Sequence, residues 1–142
     1  MDILLNANQF PLLGIAIAAA LIYLPYLVVA YGRLTSNFDF AAPRAMFDRL
    51  PEYAKRATWA HQNSFEVFML FAAASLMVFT TAKASNYTTQ VIICFLAARF
   101  TYSLFYILNV PLLRALSWAV SIGCIASLMG TSLVGIGVIP QN

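Results

Sequence analysis

The chain has 142 residues, of which 62% are hydrophobic and only 9% are charged, and its mean hydropathy is +0.81. This composition excludes an ordinary soluble globular domain, in which about 25% of the residues are charged. The net charge of +3 is small, and its placement, described below, indicates membrane topology instead of nucleic-acid binding. The length suits a single domain covering residues 1–142.

Four apolar runs follow one another along the chain, each close to the ~20 residues that a helix needs to cross a bilayer. They cover Phe10–Tyr31, Trp59–Thr81, Thr88–Leu108 and Leu112–Ile139. The first run lacks the basic segment and the cleavage site of a signal peptide, so we expect it to be retained. The sequence therefore predicts an all-α integral membrane protein that folds as a four-helix bundle.

Basic residues concentrate in the connection between the first two runs, residues 32–56, which holds five of the eight lysines and arginines. Arg114 opens the fourth run, whereas the connection between the second and third runs offers only Lys83. By the positive-inside rule, the long connection is a cytoplasmic loop and both termini lie on the non-cytoplasmic side.

Polar side chains in the second run share one helix face. With about 100° per residue, four of them fall within roughly 60° of Asn63, whereas His61 points nearly the opposite way. These four are Glu52, Arg56, Trp59 and Glu66. We expect this face to meet other parts of the protein, and we interpret His61 as a packing or headgroup contact.

The third run carries a matching polar face, because Arg99, Tyr102 and Tyr106 group within about 60°. An arginine at this depth costs at least ~2.5 kcal/mol unless it is paired or wetted. Glu66 lies at a similar depth in the second run, so the simplest expectation is an ion pair between Glu66 and Arg99.

More polar groups converge on the cytoplasmic half of the membrane than one ion pair requires. Guanidinium groups bind carboxylates through two parallel hydrogen bonds, and tyrosines offer a ring and a directed hydroxyl. The groups beyond the expected ion pair are Arg56, Asn63, Tyr102, Tyr106 and Arg114. Together they suit a small, multiply charged ligand that enters from the cytosol, with a lipophilic second substrate entering between helices. Cys94 and Cys124 have neither the spacing of a metal motif nor that of a disulfide framework, so we predict no metal site and assign these cysteines no role.

Two segments carry a resemblance to a known family. RATWAHQNSFE (56–66) opens the second span, and ARFTYSLFYILNVPLLRALSW (98–118) joins the third span to the fourth. With them, the chain resembles the MAPEG superfamily, the membrane-associated proteins in eicosanoid and glutathione metabolism. WAHQNSFE is similar to the AHxNxxE pattern of the prostaglandin E synthase and microsomal glutathione transferase branches. PRAMFDRL and NSFE look more like an uncharacterised bacterial branch, which implies a bacterial inner membrane.

The resemblance implies a homotrimer of four-helix subunits that holds glutathione, as co-substrate, between neighbours. By position, Asn63 and Glu66 would bind the tripeptide, Glu66 at its amino group. Tyr102 and Tyr106 would line the site, and Arg99 and Arg56 match basic positions of the family. Arg114 would stabilise the thiolate, and Arg33 would be a further contact from the adjacent subunit. Trp59 stands where much of the family has an arginine, for which Arg56 could substitute.

These implications favour a detoxifying enzyme, a glutathione transferase or peroxidase acting on lipophilic electrophiles or lipid hydroperoxides. Two alternatives stay open from the residues. One is a non-catalytic membrane protein of the same architecture that binds a lipid or a partner. The other is a small proton-coupled exporter using Glu66, which would need access to that carboxylate from both sides of the membrane.

Overall fold

The computed structural model describes residues 7–135, and within that range four long helices follow one another. They are α1 (Phe10–Thr35), α2 (Glu52–Thr80), α3 (Asn86–Ile107) and α4 (Pro111–Gly135). All four are long and apolar enough to cross a membrane, which confirms the prediction of an all-α, integral multi-pass membrane protein.

The helices differ from the predicted spans mainly around the connection between the first two helices. There α1 continues to Thr35, and α2 begins at Glu52, well before the apolar run that opens at Trp59. In this connection, PRAMFDRL (43–50) forms turns and a short 3-10 helix, Phe47–Arg49. The predicted end of the fourth span, Ile139, lies outside the described residues.

Local chemistry explains where α2 and α3 begin. Pro51 is extended (ψ 154°) and precedes Glu52, whose carboxylate suits the positive end of the helix dipole. At α3, Ser85 and Thr88 form a capping box: the Ser85 hydroxyl accepts the Thr88 backbone N–H at 3.3 Å, and the Thr88 hydroxyl accepts that of Ser85 at 2.8 Å.

The connection between α3 and α4 turns at Asn109. Asn109 has a φ of 59°, in the left-handed region that asparagine tolerates, and its N–H donates to the Tyr106 carbonyl at 3.2 Å. Asn109 therefore closes α3, and α4 begins two residues later at Pro111.

A buried aromatic pair lies at the centre of the bundle. The rings of Phe71 in α2 and Phe95 in α3 stack with centroids 3.8 Å apart, and both side chains are almost fully buried. Two glycines allow α1 to approach this core and α2 closely. A Cβ on Gly14 would lie 2.6 Å from the Ile92 side chain, and one on Gly32 would lie 2.5 Å from the Ala54 Cβ.

His61 connects α2 to α1. Its Nδ1 lies 2.8 Å from the Ile22 carbonyl oxygen, and the ring contacts Tyr26 and Phe65. Because a carbonyl oxygen only accepts, Nδ1 must carry the hydrogen. The interpretation of His61 as a packing contact, on the face opposite Asn63, is confirmed.

Candidate functional site

The polar face of α2 meets that of α3 through Arg99. One terminal nitrogen of Arg99, Nη2, donates to the Asn63 Oδ1 at 3.2 Å and to the Ser64 hydroxyl at 3.2 Å. Asn63 in turn donates from Nδ2 to Glu66 Oε2 at 3.3 Å. The structure thus brings together three of the site residues expected from the sequence: Asn63, Glu66 and Arg99.

The expected direct ion pair between Glu66 and Arg99 is wrong. Among the described residues, the salt bridge that forms joins Lys55 to Glu52 at 2.9 Å, at the exposed start of α2. Arg99 is only 5% exposed, whereas the Glu66 side chain lies on the outside of the single bundle. The amide of Asn63 lies between them and hydrogen-bonds to both, since an asparagine can accept at one end and donate at the other.

Arg99 keeps unused hydrogen-bonding capacity. Its Nη1 is buried and has no partner within the described part of the chain. The guanidinium carbon lies 4.2 Å from the centre of the Tyr102 ring, which supplies a cation–π contact. A buried cationic donor without an acceptor is costly, so this nitrogen would gain free energy from binding an anionic or carbonyl oxygen.

Tyr106 links Arg99's neighbourhood to the start of α4. The Tyr106 ring lies 5.6 Å from that of Tyr102, and the Arg114 guanidinium carbon lies 4.5 Å from the centre of the Tyr106 ring. The structure therefore places Arg114 beside Tyr106. Arg114 is half-buried, which leaves its guanidinium accessible to a ligand.

Trp59 and Arg56 extend this group of side chains toward the connection between α1 and α2. Trp59 is 42% exposed and lies between Phe47 of the loop and Tyr106, with ring centroids 5.8 Å and 6.5 Å away. Arg56 donates from Nε to the Ile107 carbonyl oxygen at 3.0 Å, so it caps the end of α3. Its Nε is therefore engaged, and only its terminal nitrogens could contact a ligand.

Arg33 lies on a different face of the bundle. It borders a cavity of about 910 Å³ that is also lined by Tyr26, Arg44 and His61. The Arg33 guanidinium carbon lies 5.9 Å from the Tyr26 ring centre, and its Nε is buried without a partner among the described residues. The structure does not bring Arg33 to Asn63 and Glu66 within one chain.

Ser64 is a contact of Arg99 that the sequence reading missed. Its hydroxyl donates to the Ala60 carbonyl at 2.8 Å and accepts from Arg99. Helix geometry puts Ser64 about 100° away from Asn63, off the polar face. One feature of the sequence could have indicated this contact: a buried guanidinium needs several hydrogen-bond acceptors, and Ser64 is next to Asn63.

The described residues contain no group of three or more histidine, cysteine, aspartate or glutamate side chains that could hold a metal ion. The groups that the structure does bring into one region are three guanidinium groups, two phenols, an amide and a carboxylate. Such a set suits a zwitterionic ligand that has carboxylates for the arginines and an ammonium for Glu66.

Comparison with known protein families identifies the family of this chain. The model of the MAPEG family matches residues 10–134, which span nearly all of the four helices. No curated protein and no solved structure gives a significant match.

Proposed function

Because the chain belongs to the MAPEG family, we propose that it is a membrane-bound, glutathione-dependent transferase or peroxidase that acts on lipophilic electrophiles or lipid hydroperoxides. The observation that carries the proposal is the pair of arginines held on tyrosine rings, Arg99 on Tyr102 and Arg114 on Tyr106. Arg114 lies at the start of α4 and Arg99 is buried within the bundle on α3, where one of its nitrogens has no partner among the described residues.

The residues divide into two groups by the part of glutathione that they suit. Glutathione has two carboxylates, one ammonium group and one thiol. Arg99 and Arg56 offer donors to the carboxylates, whereas Glu66 suits the ammonium group and Asn63 can hydrogen-bond beside it. Tyr102 and Tyr106 line the site.

Arg114 has the role closest to the chemistry. A free thiol has a pKa of about 8.5, and only the thiolate is a good nucleophile. The Arg114 guanidinium, at the start of α4, adds its charge to the positive end of a helix dipole, and both favour the anion. The thiolate then attacks the electrophile to form the conjugate. With a hydroperoxide it attacks the terminal oxygen, the O–O bond breaks, an alcohol leaves, and a second glutathione converts the resulting sulfenic acid to glutathione disulfide and water. The protein needs to supply no covalent group.

The exposure of Glu66 supports an assembly of several copies. In one bundle its carboxylate lies on the surface of a membrane-spanning helix, where contact with lipid would be costly. A neighbouring subunit would cover it. Arg33, which cannot reach the Asn63 group within its own chain, would face the site of an adjacent copy. The homotrimer that the family resemblance implies would cover Glu66 and bring Arg33 to a neighbouring site. We propose that both termini lie on the non-cytoplasmic side.

The proposal is tested by ultraviolet difference spectroscopy near the thiolate absorption band. The purified protein in detergent is titrated with glutathione at neutral pH, beside the variants Arg114→Ala and Glu66→Gln. Lys83→Ala is the matched control, because it removes one positive charge from the connection between α2 and α3, at the opposite end of the bundle.

We expect a saturable thiolate signal in the wild-type protein and in Lys83→Ala, and its loss in Arg114→Ala. Glu66→Gln should raise the glutathione concentration needed for half-saturation. If the wild-type protein gives no thiolate signal and glutathione does not raise its unfolding temperature, the enzymatic function is wrong and a lipid-binding or partner-binding role takes its place.

A further inference from the structure

The two cysteines face each other across the contact between α3 and α4. These helices run antiparallel, and the hydroxyls of Thr101 and Ser117 mark their register because they lie 3.3 Å apart. Cys94 precedes Thr101 by seven residues, and Cys124 follows Ser117 by seven. Seven residues are about two helical turns, so both cysteines return to the same helix-helix contact at the same height.

Further contacts support this register. Tyr87 precedes Cys94 on α3 and Ser127 follows Cys124 on α4. Their hydroxyls lie 2.6 Å apart and form a second contact between the two helices. Both cysteines border a cavity of about 380 Å³ in this contact. Gly123 borders the same cavity and has no side chain to fill it.

We propose that Cys94 and Cys124 form a reversible dithiol–disulfide pair that cross-links α3 to α4 when lipid hydroperoxides reach the bilayer. The cavity opens to the outside of the bundle at the level of two membrane-spanning helices, where a membrane-dissolved hydroperoxide is concentrated. The proposal concerns a face of the bundle away from Asn63 and Arg99, and it does not depend on glutathione chemistry at that site.

The reaction balances with the hydroperoxide as a two-electron oxidant. The Cys94 sulfur attacks the terminal peroxide oxygen, the O–O bond breaks, and the lipid alcohol leaves with the thiol proton. Cys94 is then a sulfenic acid. The Cys124 sulfur attacks the Cys94 sulfur, the S–S bond forms, and the hydroxyl leaves as water with the second thiol proton. The two thiols lose two electrons, which the peroxide gains.

Accessibility sets the order of the two steps. Cys94 is exposed, whereas Cys124 is only 9% exposed. Oxidation follows exposure, so Cys94 reacts with the hydroperoxide and Cys124 resolves the sulfenic acid. The resulting cross-link fixes α3, which carries Arg99, Tyr102 and Tyr106, against α4, which carries Arg114.

The test treats the full-length protein in lipid nanodiscs with a fatty-acid hydroperoxide and then alkylates free thiols with a maleimide. Intact mass and peptide mapping report the products. The matched reagent control is the corresponding fatty-acid alcohol, which has no O–O bond. Cys124→Ser and Cys94→Ser are treated in parallel, with a sulfenic-acid trap present.

We expect the wild-type protein to lose both maleimide sites and the mass of two hydrogen atoms, and to regain the sites after reduction with a dithiol. The alcohol should change nothing. Cys124→Ser should accumulate trapped sulfenic acid at Cys94, whereas Cys94→Ser should keep a reduced thiol. The proposal is overturned if both wild-type thiols stay available to the maleimide, or if the disulfide joins two chains. The wild-type result decides even if a variant fails to fold.

Discussion

Arg99 and Glu66 are connected through Asn63, whose amide accepts a hydrogen bond from the arginine and donates one to the carboxylate. This arrangement keeps a buried cation and an exposed anion in one network without direct contact. Both charged groups retain free capacity: Arg99 has an unpartnered nitrogen, and only one Glu66 oxygen is engaged within the described chain. A network of this kind can accept a ligand without first breaking an ion pair.

Replacing Asn63 by leucine should therefore destabilise the protein. The change keeps the approximate side-chain size but leaves Arg99 with Ser64 as its remaining acceptor. A buried charged donor that loses its acceptor costs about 1–3 kcal/mol. The measurement is thermal or denaturant unfolding in detergent without any thiol present.

Glu66→Gln is the matched control for this prediction. Its side chain is exposed and keeps an oxygen that can accept from Asn63, so the change in unfolding free energy should stay within about 0.5 kcal/mol. Equal losses in Asn63→Leu and Glu66→Gln would mean that the network does not stabilise Arg99 as described.

The sequence predicted the directions of these side chains better than their contacts. Helix periodicity placed Asn63 and Arg99 on facing sides of α2 and α3, and the structure joins them at 3.2 Å. Periodicity gives only an angle and a height, however, and it does not say which of two polar groups at similar depth comes closer. In the structure Asn63, and not Glu66, contacts Arg99 directly. Which of the two comes closer depends on how α2 and α3 pack against each other.

The helix boundaries illustrate the same limit. Pro51 and Ser85 carry local chemistry that starts a helix, and α2 and α3 begin directly after them. Asn109 has side-chain chemistry that suits either a helix start or a left-handed helix end. The sequence alone did not decide between them, because the choice depends on how the chain turns from α3 to α4.

The aromatic ring of Tyr106 should position the Arg114 guanidinium for the thiolate. Under the proposed function, Tyr106→Phe keeps the ring and Tyr106→Leu removes it. A cation–π contact contributes about 0.5–2 kcal/mol, so the leucine variant should lose severalfold in the thiolate signal at neutral pH. The measurement is the glutathione difference spectrum as a function of pH.

In this titration, the midpoint for thiolate formation should rise toward that of free glutathione in Tyr106→Leu and move less in Tyr106→Phe. The sign follows because a guanidinium near the sulfur favours the charged form and so lowers the thiol pKa. If both variants raise the midpoint by the same amount, the phenol hydroxyl of Tyr106, and not its ring, positions Arg114. If neither variant moves the midpoint from its wild-type value, Tyr106 does not position Arg114.

His61 should contribute to stability through its hydrogen bond to α1. His61→Phe removes the donor that lies 2.8 Å from the Ile22 carbonyl and keeps a ring beside Tyr26 and Phe65. Hydrogen bonds between membrane helices are worth about 0.6 kcal/mol on average and up to about 1.7. Unfolding in detergent should show a loss in that range, whereas Gln62→Leu, at the exposed neighbouring position, should show little change. If His61→Phe unfolds at the same free energy as the wild-type protein, the hydrogen bond from His61 to α1 does not stabilise the contact between α1 and α2.

Gly32 should be intolerant of even a single methyl group. A Cβ at this position would lie 2.5 Å from the Ala54 Cβ, in the contact between the end of α1 and the start of α2. Because both atoms are attached to helix backbone, no side-chain rotation can relieve the overlap, and one helix must shift. Overpacking of this kind costs about 1–3 kcal/mol, so Gly32→Ala should lower the unfolding temperature.

Gly123→Ala is the internal comparison, because a Cβ there would meet no atom within 4 Å. Alanine is favoured over glycine inside a helix by about 0.5–1 kcal/mol, so this variant should be neutral or slightly more stable. The same gain acts at Gly32, and the difference between the two variants therefore isolates the cost of the close approach. Matching changes in unfolding temperature for both variants would show that α1 and α2 are not held together at Gly32 and Ala54. A loss confined to Gly32→Ala would instead establish that contact as the closure between the first two spans.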